Sequence, residues 1–230
     1  MEEALAVEVA EQYPVALHSV GLNLGGSHPI NFDYCRRIGA LADKTRAFLV
    51  SDHLAFTSVG NRFHHDLWPM PRSAESVRHL VDRINAVQDV LSRRLHVENI
   101  STYVRHETDS MDEGTFLAEL VEATGCGLIL DLNNLDINAF NHGESAQDVI
   151  RAVDSTDIGY VHIAGGEQRS DVIVDTHSTA PNQRVLDLLD ELRSLRSDVP
   201  VLLEWDAELP SYDVLMNALD TARPIDQAAA

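Results

Sequence analysis

Six short apolar runs recur along the chain, and helical segments with amphipathic spacing lie between them. Short apolar runs that alternate with helices are typical of strands buried on both faces of a parallel sheet. The pattern therefore predicts strands and helices in alternation over the whole chain. The predicted strands are 15–22, 48–56, 95–100, 127–134, 158–165 and 199–206.

The predicted helices have apolar residues at helical spacing, and one of them ends at a glycine, Gly125. Strand–helix alternation favours either a (β/α) barrel or an open doubly wound sheet. No G-x-G-x-x-G loop follows the first strand. This absence argues against an open sheet that binds a dinucleotide, and it favours the barrel. The predicted helices are 2–13, 76–94, 113–124, 146–153 and 183–195.

The fold class predicted by these elements is α/β, with a TIM-type (β/α) barrel. A closed barrel of this type has eight strands, whereas only six strands are convincing here. We therefore expect a barrel that lacks its first two strands. Residues 1–220 are expected to form this single domain, and residues 221–230 a loose C-terminal tail.

Each predicted strand places one polar, ionisable residue after several apolar ones, at its C-terminal end. In barrel enzymes this end holds the active site. A single such residue is usually a satisfied core group or a helix cap. Six together at one end of a barrel would be costly to bury unless they are paired or bind metal. The six residues are His18, His53, Glu98, Asp131, His162 and Glu204.

A second source of ligands is the extended segment 171–178, where Asp175 and His177 are two residues apart and face the same way. Asn134 adds a carbonyl oxygen. All of these donors are nitrogen or oxygen, which suits iron, manganese or zinc rather than copper(I) or an iron–sulfur cluster. Because the donors exceed what one ion needs, we expect two or three adjacent ions, with carboxylates such as Glu98 bridging them.

Composition limits the classes of partner. The chain has 37 acidic and 17 basic residues, a formal charge of −20, which disfavours nucleic acid and anionic membranes. The acidity is equally compatible with adaptation to salt and with attraction for cations or basic peptides. Cys35 and Cys126 have no C-x-x-C spacing, and the N-terminus has no signal-like run, so we expect a cytoplasmic protein without disulfides.

A series of motifs resembles the multinuclear non-heme iron-dependent oxidative enzymes, a family with a xylose-isomerase-like TIM barrel. The resemblance runs from about residue 12 to about residue 217 in the order of that family. Its motifs are HSVGLNLG (18–25), SDHLAF (51–56), WPMP (68–71), ENISTY (98–103), TGCGLILDLNN (124–134), NHG (141–143), HIAG (162–165), DTH (175–177) and EWD (204–206).

This resemblance implies two or three iron ions (Fe2+/Fe3+), O2 as co-substrate, and oxidative modification of a ribosomally made precursor peptide, often at cysteine. A helper protein that recognises the peptide is a further implied partner. Asp206 is implied as the proton-transfer residue, with a helix cap as its competing interpretation, and Glu204 as a catalytic carboxylate and ligand. The implied iron ligands are His18, His53, Glu98, Asp131 or Asn134, His162, Asp175, His177 and Glu204.

The chain also departs from the pattern of this family. The first two strands are missing, which fits a misassigned start, a truncated paralogue, or an oligomer or partner chain that covers the open side of the barrel. Gly166, Asp52 and Arg72 replace a histidine, a glutamate and an aromatic residue. We expect these departures to affect substrate contacts more than the metal ligands.

Two other functions fit the same pattern. One is a divalent-metal sugar isomerase or phosphoesterase on the same barrel. The other is a degenerate barrel that serves as a peptide-binding scaffold, which the missing strands favour and the complete ligand set disfavours.

Overall fold

The structure is a computed structural model that describes residues 3–60 and 62–223, and most of the predicted tail, 224–230, lies outside the described residues. The helices are α1 (Glu3–Ala10), α2 (Phe32–Thr45), α3 (Ala74–Leu91), α4 (Glu113–Thr124), α5 (Leu132–His142), α6 (Ala146–Ala152), α7 (Gln183–Leu195) and α8 (Tyr212–Thr221). The strands are β1 (Ala16–Ser19), β2 (Leu49–His53), β3 (Phe56–Val59), β4 (Arg62–Trp68), β5 (Leu95–Glu98), β6 (Gly127–Asp131), β7 (Ile158–Ile163), β8 (Gly165–Arg169), β9 (Val172–Thr179) and β10 (Val201–Leu203).

Six parallel strands form the main sheet in the order β1-β2-β5-β6-β7-β10. They are the six strands predicted from the apolar runs. The sheet curls into a half-barrel, and within the described residues no strand pairs with the outer edge of β1 or of β10. The prediction of an α/β barrel without two of its strands is confirmed.

The register of the sheet decides which side chains enter the barrel. Paired residues on neighbouring parallel strands face the same side, and so do residues two apart on one strand. His18 pairs with Ser51, His53 with Glu98, and Asp131 with His162. Together with the pairing of Leu202 with His162, these pairs place every predicted strand-end ligand on the inner face.

The alternate residues of each strand face outward and pack against the helices. Val50, Val97, Leu130 and Val161 are fully buried in this outer core, with apolar residues of α3, α4 and α7. Removing this apolar area from water, at roughly 25 cal/mol per Å², is the main force that holds the helices to the sheet.

The inner face below the ligands forms a packed floor. Leu49, Ile129 and Tyr160 make a small buried cluster there. Gly127 leaves room for the buried His96, because a Cβ on this glycine would come within 2.2 Å of that ring. On the open side the inward-facing Leu202 is 48% exposed. The barrel is therefore filled from below but open between β10 and β1.

Helices at 76–94, 113–124, 146–153 and 183–195 are confirmed within a few residues as α3, α4, α6 and α7. The predicted strand 127–134 is too long, because Asp131 accepts a hydrogen bond from the Asn134 backbone N–H and α5 begins at Leu132. The pattern missed α2, α5, α8, the β3–β4 hairpin and β8, whereas the extended segment predicted at 171–178 is confirmed as β9. Within the described residues, no helix combines the length and apolar character needed to cross a bilayer.

Candidate metal centre

Three groups of His and carboxylate side chains meet at the C-terminal ends of the barrel strands, with their ligand atoms within 4.8 Å of one another in each group. The first group joins His18, His53 and Glu98. Glu98 Oε2 lies 2.9 Å from His18 Nε2 and 3.3 Å from His53 Nε2. That oxygen is buried without a hydrogen bond of ordinary geometry, whereas the two histidine nitrogens lie 3.3 Å apart in hydrogen-bond geometry. All three atoms therefore converge on one small space.

The second group joins Glu98, Asp131, His162 and Glu204. His162 Nδ1 lies 2.8 Å from Glu98 Oε1 and 3.1 Å from Glu204 Oε2. Asp131 Oδ2 lies 3.8 Å from His162 Nδ1 and is buried without a hydrogen-bond partner. Glu98 thus belongs to the first two groups, one carboxylate oxygen facing each.

The third group joins His177, Glu204 and Asp206. His177 Nδ1 lies 3.3 Å from Glu204 Oε2 and 3.6 Å from Asp206 Oδ2. Glu204 therefore belongs to two groups, as Glu98 does. The His177 backbone has φ +43, a left-handed conformation that costs a non-glycine residue roughly 1–3 kcal/mol and is typical of functional sites.

Asp175 supports His177 from the opposite side of the ring. Its Oδ1 lies 2.8 Å from His177 Nε2, yet this nitrogen makes no hydrogen bond of ordinary geometry. Ser101 Oγ and Asn133 Nδ2 each donate to Asp175 over 3.0 Å, and the Asp175 backbone N–H donates to the Tyr103 hydroxyl over 2.8 Å. The Asp-x-His pair is therefore held rigidly at the mouth of the barrel by β9.

Asn99, which directly follows β5, orients both Asn134 and Asp131 through hydrogen bonds. Asn134 Nδ2 donates to the Asn99 carbonyl over 3.0 Å, which turns Asn134 Oδ1 the other way, where it is buried and unpartnered. Asn99 Oδ1 accepts from the Asp131 backbone N–H over 2.8 Å. Asp131 Oδ1 caps α5, so only Oδ2 is left for the centre. Both residues thus offer one buried, unpartnered oxygen.

The centre contains several carboxylates and no lysine or arginine among the described residues that line its cleft. Glu98, Asp175, Glu204 and Asp206 line this cleft with His18, His53 and His177. Burial, together with the charge of Glu98, raises the pKa of Asp131 to about 8. Unpaired buried carboxylates are costly, so protons or metal cations must neutralise this set.

The histidines respond to the same surroundings. Burial lowers the pKa of His53 to about 4. At His162 the hydrogen bond to Glu98 outweighs burial and raises the pKa to about 9. At His177 the Asp175 carboxylate outweighs burial and raises the pKa to about 10. Burial also disfavours ionisation of Glu98, but the hydrogen bond from His162 and the close approach of the His18 ring outweigh it and lower the pKa of that carboxyl.

A cleft of about 790 Å³ opens above the three groups. Its upper wall contains Phe63 and Trp68 of β4, together with Tyr103 and Val104, all of them more than two-fifths exposed. The β3–β4 hairpin contributes this wall, and β9, predicted as the extended segment 171–178, carries Asp175 and His177. The strands β3 and β4 are short and contain several polar residues, so the alternation of apolar runs does not predict them.

The structure brings together all the predicted ligands, and it corrects two expectations about their neighbours. Asp206 does not cap a helix, because α8 begins at Tyr212 with Ser211 at the N-cap position. The three departures from the family pattern, at Asp52, Arg72 and Gly166, do not line the described cleft.

Each departure has a structural role instead. Asp52 accepts hydrogen bonds from Ser19 and from the Leu22 and His53 backbone N–H groups. Arg72 pairs with Glu144. At Gly166 a Cβ would come within 2.8 Å of the Val174 carbonyl oxygen of the neighbouring strand.

Ser51 contacts the candidate centre from within β2 and not from a strand end, so the strand-end pattern does not predict it. It lies two residues before His53 on the same face of β2, and its Oγ is 2.7 Å from His18 Nδ1. The available signal was this two-residue spacing from a predicted ligand.

Comparisons with known proteins identify relatives of this chain and proteins of the same fold. A UPF0276 protein of Acaryochloris marina is 39% identical over 209 residues, covering 91% of this chain and 76% of the relative. A UPF0276 protein of Paraburkholderia phytofirmans is 36% identical over 222 residues, covering 94% and 72%. The crystal structure of D-psicose 3-epimerase in the presence of D-fructose superposes with a TM-score of 0.59 and 14% identity, covering 100% of this chain and 78% of that one, a likeness that shows the fold alone.

The profile of the family described as RiPP precursor modification enzyme MbnB/TglH/ChrH, in which RiPP denotes a ribosomally synthesised and post-translationally modified peptide, matches residues 2–227. This match spans nearly the whole sequence and includes every residue of the candidate metal centre. The chain therefore belongs to the MbnB/TglH/ChrH family of RiPP precursor modification enzymes.

Proposed function

We propose that this protein is a multinuclear iron-dependent oxidase or oxygenase that modifies a ribosomally made precursor peptide, at cysteine in particular. The observation that carries the proposal is the chain of three donor groups in which Glu98 and Glu204 are each shared by two groups. Carboxylates that face two groups at once are suited to bridge adjacent ions. A single-ion site needs only about three or four protein ligands and would leave most of these donors unused.

The proposed ligands divide by position in the barrel. His18 and His53 lie on one side of Glu98, and Asp131 and His162 on the other. Glu204 links this second position to the mouth of the barrel, where β9 supplies the remaining donors. The full proposed set is His18, His53, Glu98, Asp131, Asn134, His162, Asp175, His177 and Glu204.

Iron is the proposed metal because imidazole and carboxylate donors suit it and because the family resemblance points to it. Bound iron would supply Lewis acidity toward a substrate thiolate and redox chemistry with O2 as the oxidant. Thiolate affinity is the reason to favour a cysteine as the modified residue.

Asp206 is the most exposed donor of the third group, and for this reason it is the proposed proton-transfer residue and not a proposed ligand. Its side chain is 66% exposed, and Oδ2 lies 3.6 Å from His177 Nδ1. It is thus at the border between the donor groups and the cleft, where a substrate proton can reach it. Glu204 is proposed as a second catalytic carboxylate in addition to its role as a ligand. Its Oε2 faces both His162 and His177.

The shape of the cleft supports a peptide substrate. Its volume of about 790 Å³ lies near the upper end for small-molecule pockets, roughly 300–1,000 Å³, and its aromatic wall extends along β4. Aromatic side chains give a large contact area to the backbone and side chains of an extended chain. A hexose would leave most of that wall uncovered.

The test is to produce the protein with iron under anaerobic conditions and to measure the bound metal by elemental analysis and Mössbauer spectroscopy. Each short peptide encoded beside the gene is then co-expressed and its mass determined, with Glu98→Gln as the inactive control. Two or three iron ions per chain and an oxidative mass change that needs O2 are expected. A wild-type protein that binds only one zinc or magnesium ion and changes no peptide would contradict the proposal.

The same measurements separate the alternative functions. Zinc, manganese or magnesium with conversion of a ketose or phosphate ester would support a sugar isomerase or phosphoesterase. A folded protein that binds no metal in any preparation but still retains a co-expressed peptide would support the scaffold.

A further inference from the structure

A buried serine lies directly beneath one of the proposed ligands. Ser51 is inward-facing on β2 and fully buried, one layer below the strand ends. Its Oγ is 2.7 Å from His18 Nδ1, a short distance for this kind of contact. The hydroxyl also lies 3.4 Å from the Leu17 carbonyl oxygen.

The direction of the hydroxyl proton decides the state of the His18 ring. A serine hydroxyl has one proton to donate, and a neutral imidazole carries its proton on one of its two nitrogens. If Ser51 donates to the Leu17 carbonyl, it accepts from His18 Nδ1–H, and Nε2 presents a free lone pair. If Ser51 donates to Nδ1, the proton is on Nε2.

The Leu17 carbonyl can only accept, so its contact with Ser51 favours the first arrangement, and the surroundings of Nε2 are compatible with it. His18 Nε2 faces Glu98 Oε2 at 2.9 Å and His53 Nε2 at 3.3 Å. Glu98 Oε2 receives no aligned hydrogen bond from His18. The Nε2 atoms of His18 and His53 are in hydrogen-bond geometry, so one ring donates to the other, and in the first arrangement the donor is His53 Nε2–H. A lone pair on Nε2 that points to the centre of the first donor group is consistent with this geometry.

A serine hydroxyl at this depth also needs a hydrogen-bond partner to offset the cost of its burial. The nearby floor of the barrel is made by Leu49, Ile129 and Tyr160. A buried hydroxyl without a hydrogen bond costs roughly 1–3 kcal/mol, whereas alanine at the same place would have no such cost. The Leu17 carbonyl and His18 Nδ1 together satisfy this hydroxyl, and the shorter contact with His18 connects it to a proposed ligand.

We propose that Ser51 is a positioning residue that fixes His18 as the Nδ1–H tautomer and so directs the Nε2 lone pair to the metal position formed with His53 and Glu98. This inference rests on the proposed function only in that the first donor group holds an ion. Partners on the far nitrogen of a ligating histidine set its tautomer and tune its affinity for metal.

The first experiment reads the tautomer directly in metal-free wild-type protein. Histidine labelled with 15N is observed by long-range proton–nitrogen correlation at a pH where the ring is neutral, and the signals of His18 are identified by their loss in His18→Gln. The expected result is a protonated Nδ1 and an unprotonated Nε2. A wild-type His18 with its proton on Nε2 would overturn the proposal.

The second experiment measures the metal. Ser51→Ala is compared with Ser76→Ala, which removes another buried serine hydroxyl, in α3 and outside the described cleft. Ser51→Ala should weaken the binding of one ion by about 10- to 100-fold in a titration with ferrous iron, as typical for loss of such a partner. Ser51→Thr, which keeps the hydroxyl, should restore most of that affinity, and Ser76→Ala should not change it.

The outcomes distinguish this inference from the proposed function. Equal iron affinity in wild type and in folded Ser51→Ala would overturn the role of Ser51, even with the full number of ions bound. A wild type that binds no iron would contradict the proposed function, while the tautomer of His18 would still be read in the metal-free protein. If neither Ser51 variant folds, the tautomer of His18 measured in the wild-type protein decides whether the proposal holds.

Discussion

Glu98 accepts a hydrogen bond from His162 Nδ1 over 2.8 Å through one carboxylate oxygen, and both side chains are almost entirely buried. Its other oxygen faces His18 and His53. Glu98 is therefore the residue on which the first two donor groups both depend, whereas His53 belongs to one of them.

Replacing Glu98 should consequently remove more metal than replacing His53. We expect Glu98→Gln to lose iron from two positions and His53→Ala from one, as measured by elemental analysis of protein purified anaerobically. Glu113→Gln is the matched control, because Glu113 is also buried but outside the three groups. Iron contents equal to the wild type in both ligand variants would refute the ligand assignment.

Asp206→Asn tests the role in proton transfer. A positioned acid or base contributes about 10²- to 10⁴-fold to a rate, so formation of the modified peptide should fall by that factor while the iron content stays constant. Asp66→Asn removes another acidic group from the lining of the same cleft and should have a small effect. If Asp206→Asn loses iron in proportion to its activity, Asp206 is a ligand and does not transfer the proton.

The aromatic wall of the cleft should affect the substrate and not the metal. Phe63 is 73% exposed at this wall, whereas Phe48, 60% exposed, lies before β2 at the opposite end of the barrel. Losing roughly 1.5 kcal/mol of apolar contact corresponds to about a tenfold increase in KM for the peptide. We expect this increase in Phe63→Ala but not in Phe48→Ala, with unchanged iron in both. Equal KM values for the two variants would argue against peptide contact at the wall.

Glu113 should make stability depend on pH. It is buried at the start of α4, with Arg72 Nη1 3.7 Å from its Oε2 and Asn138 donating to the same oxygen over 3.2 Å. His106 and Asp109 line the small cavity beside it, and Glu144 pairs with Arg72. Burial is the main cause that raises the pKa of Glu113 to about 7, from 4.5.

Because the folded pKa is the higher one, the unfolded chain releases this proton first, and Glu113 destabilises the fold increasingly as pH rises from about 4.5 to 7. Glu113→Gln removes this effect. Its free energy of unfolding relative to the wild type should increase by about 2–3 kcal/mol between pH 5 and pH 8 in urea titrations. Parallel pH profiles for the two proteins would contradict the prediction.

Glu144→Gln should change the pH dependence of the free energy of unfolding in the opposite direction. Burial disfavours its ionisation, but hydrogen bonds from Arg72 and Arg105 outweigh burial and lower the pKa of Glu144. A lowered pKa gives stability that is present above the unfolded pKa and lost in acid. This variant should therefore be less stable than the wild type at pH 8, with the difference shrinking as the pH falls.

The barrel and its ligands could be predicted because both depend on local, periodic features. An apolar strand shows its length and its inward residues through alternation, so His18, His53, Glu98 and His162 were identified as a set. The helix α5 was missed because Asp131 ends a strand and caps a helix with the same side chain. Nothing in the apolar pattern marks that double use.

The remaining parts depend on tertiary contacts that no spacing shows. The left-handed backbone at His177 is stabilised where Asp206 and Ala207 donate backbone hydrogen bonds to its carbonyl oxygen. The orientation of Asn134 depends on Asn99, which is 35 residues away. The sequence could therefore supply the donors, but the way in which Glu98 and Glu204 are shared required the fold.

The donor groups also follow the order of synthesis. His18, His53 and Glu98 come from β1, β2 and β5, so the first group involves only the N-terminal part of the sheet, whereas the other two include Glu204, just after β10. During translation, the first position can assemble before the ribosome has made the last strand. The other two donor groups can form only after Glu204 has been synthesised. Metal that binds only the folded chain stabilises that chain by mass action, so under the proposed function iron supplied during growth should increase the amount of folded protein.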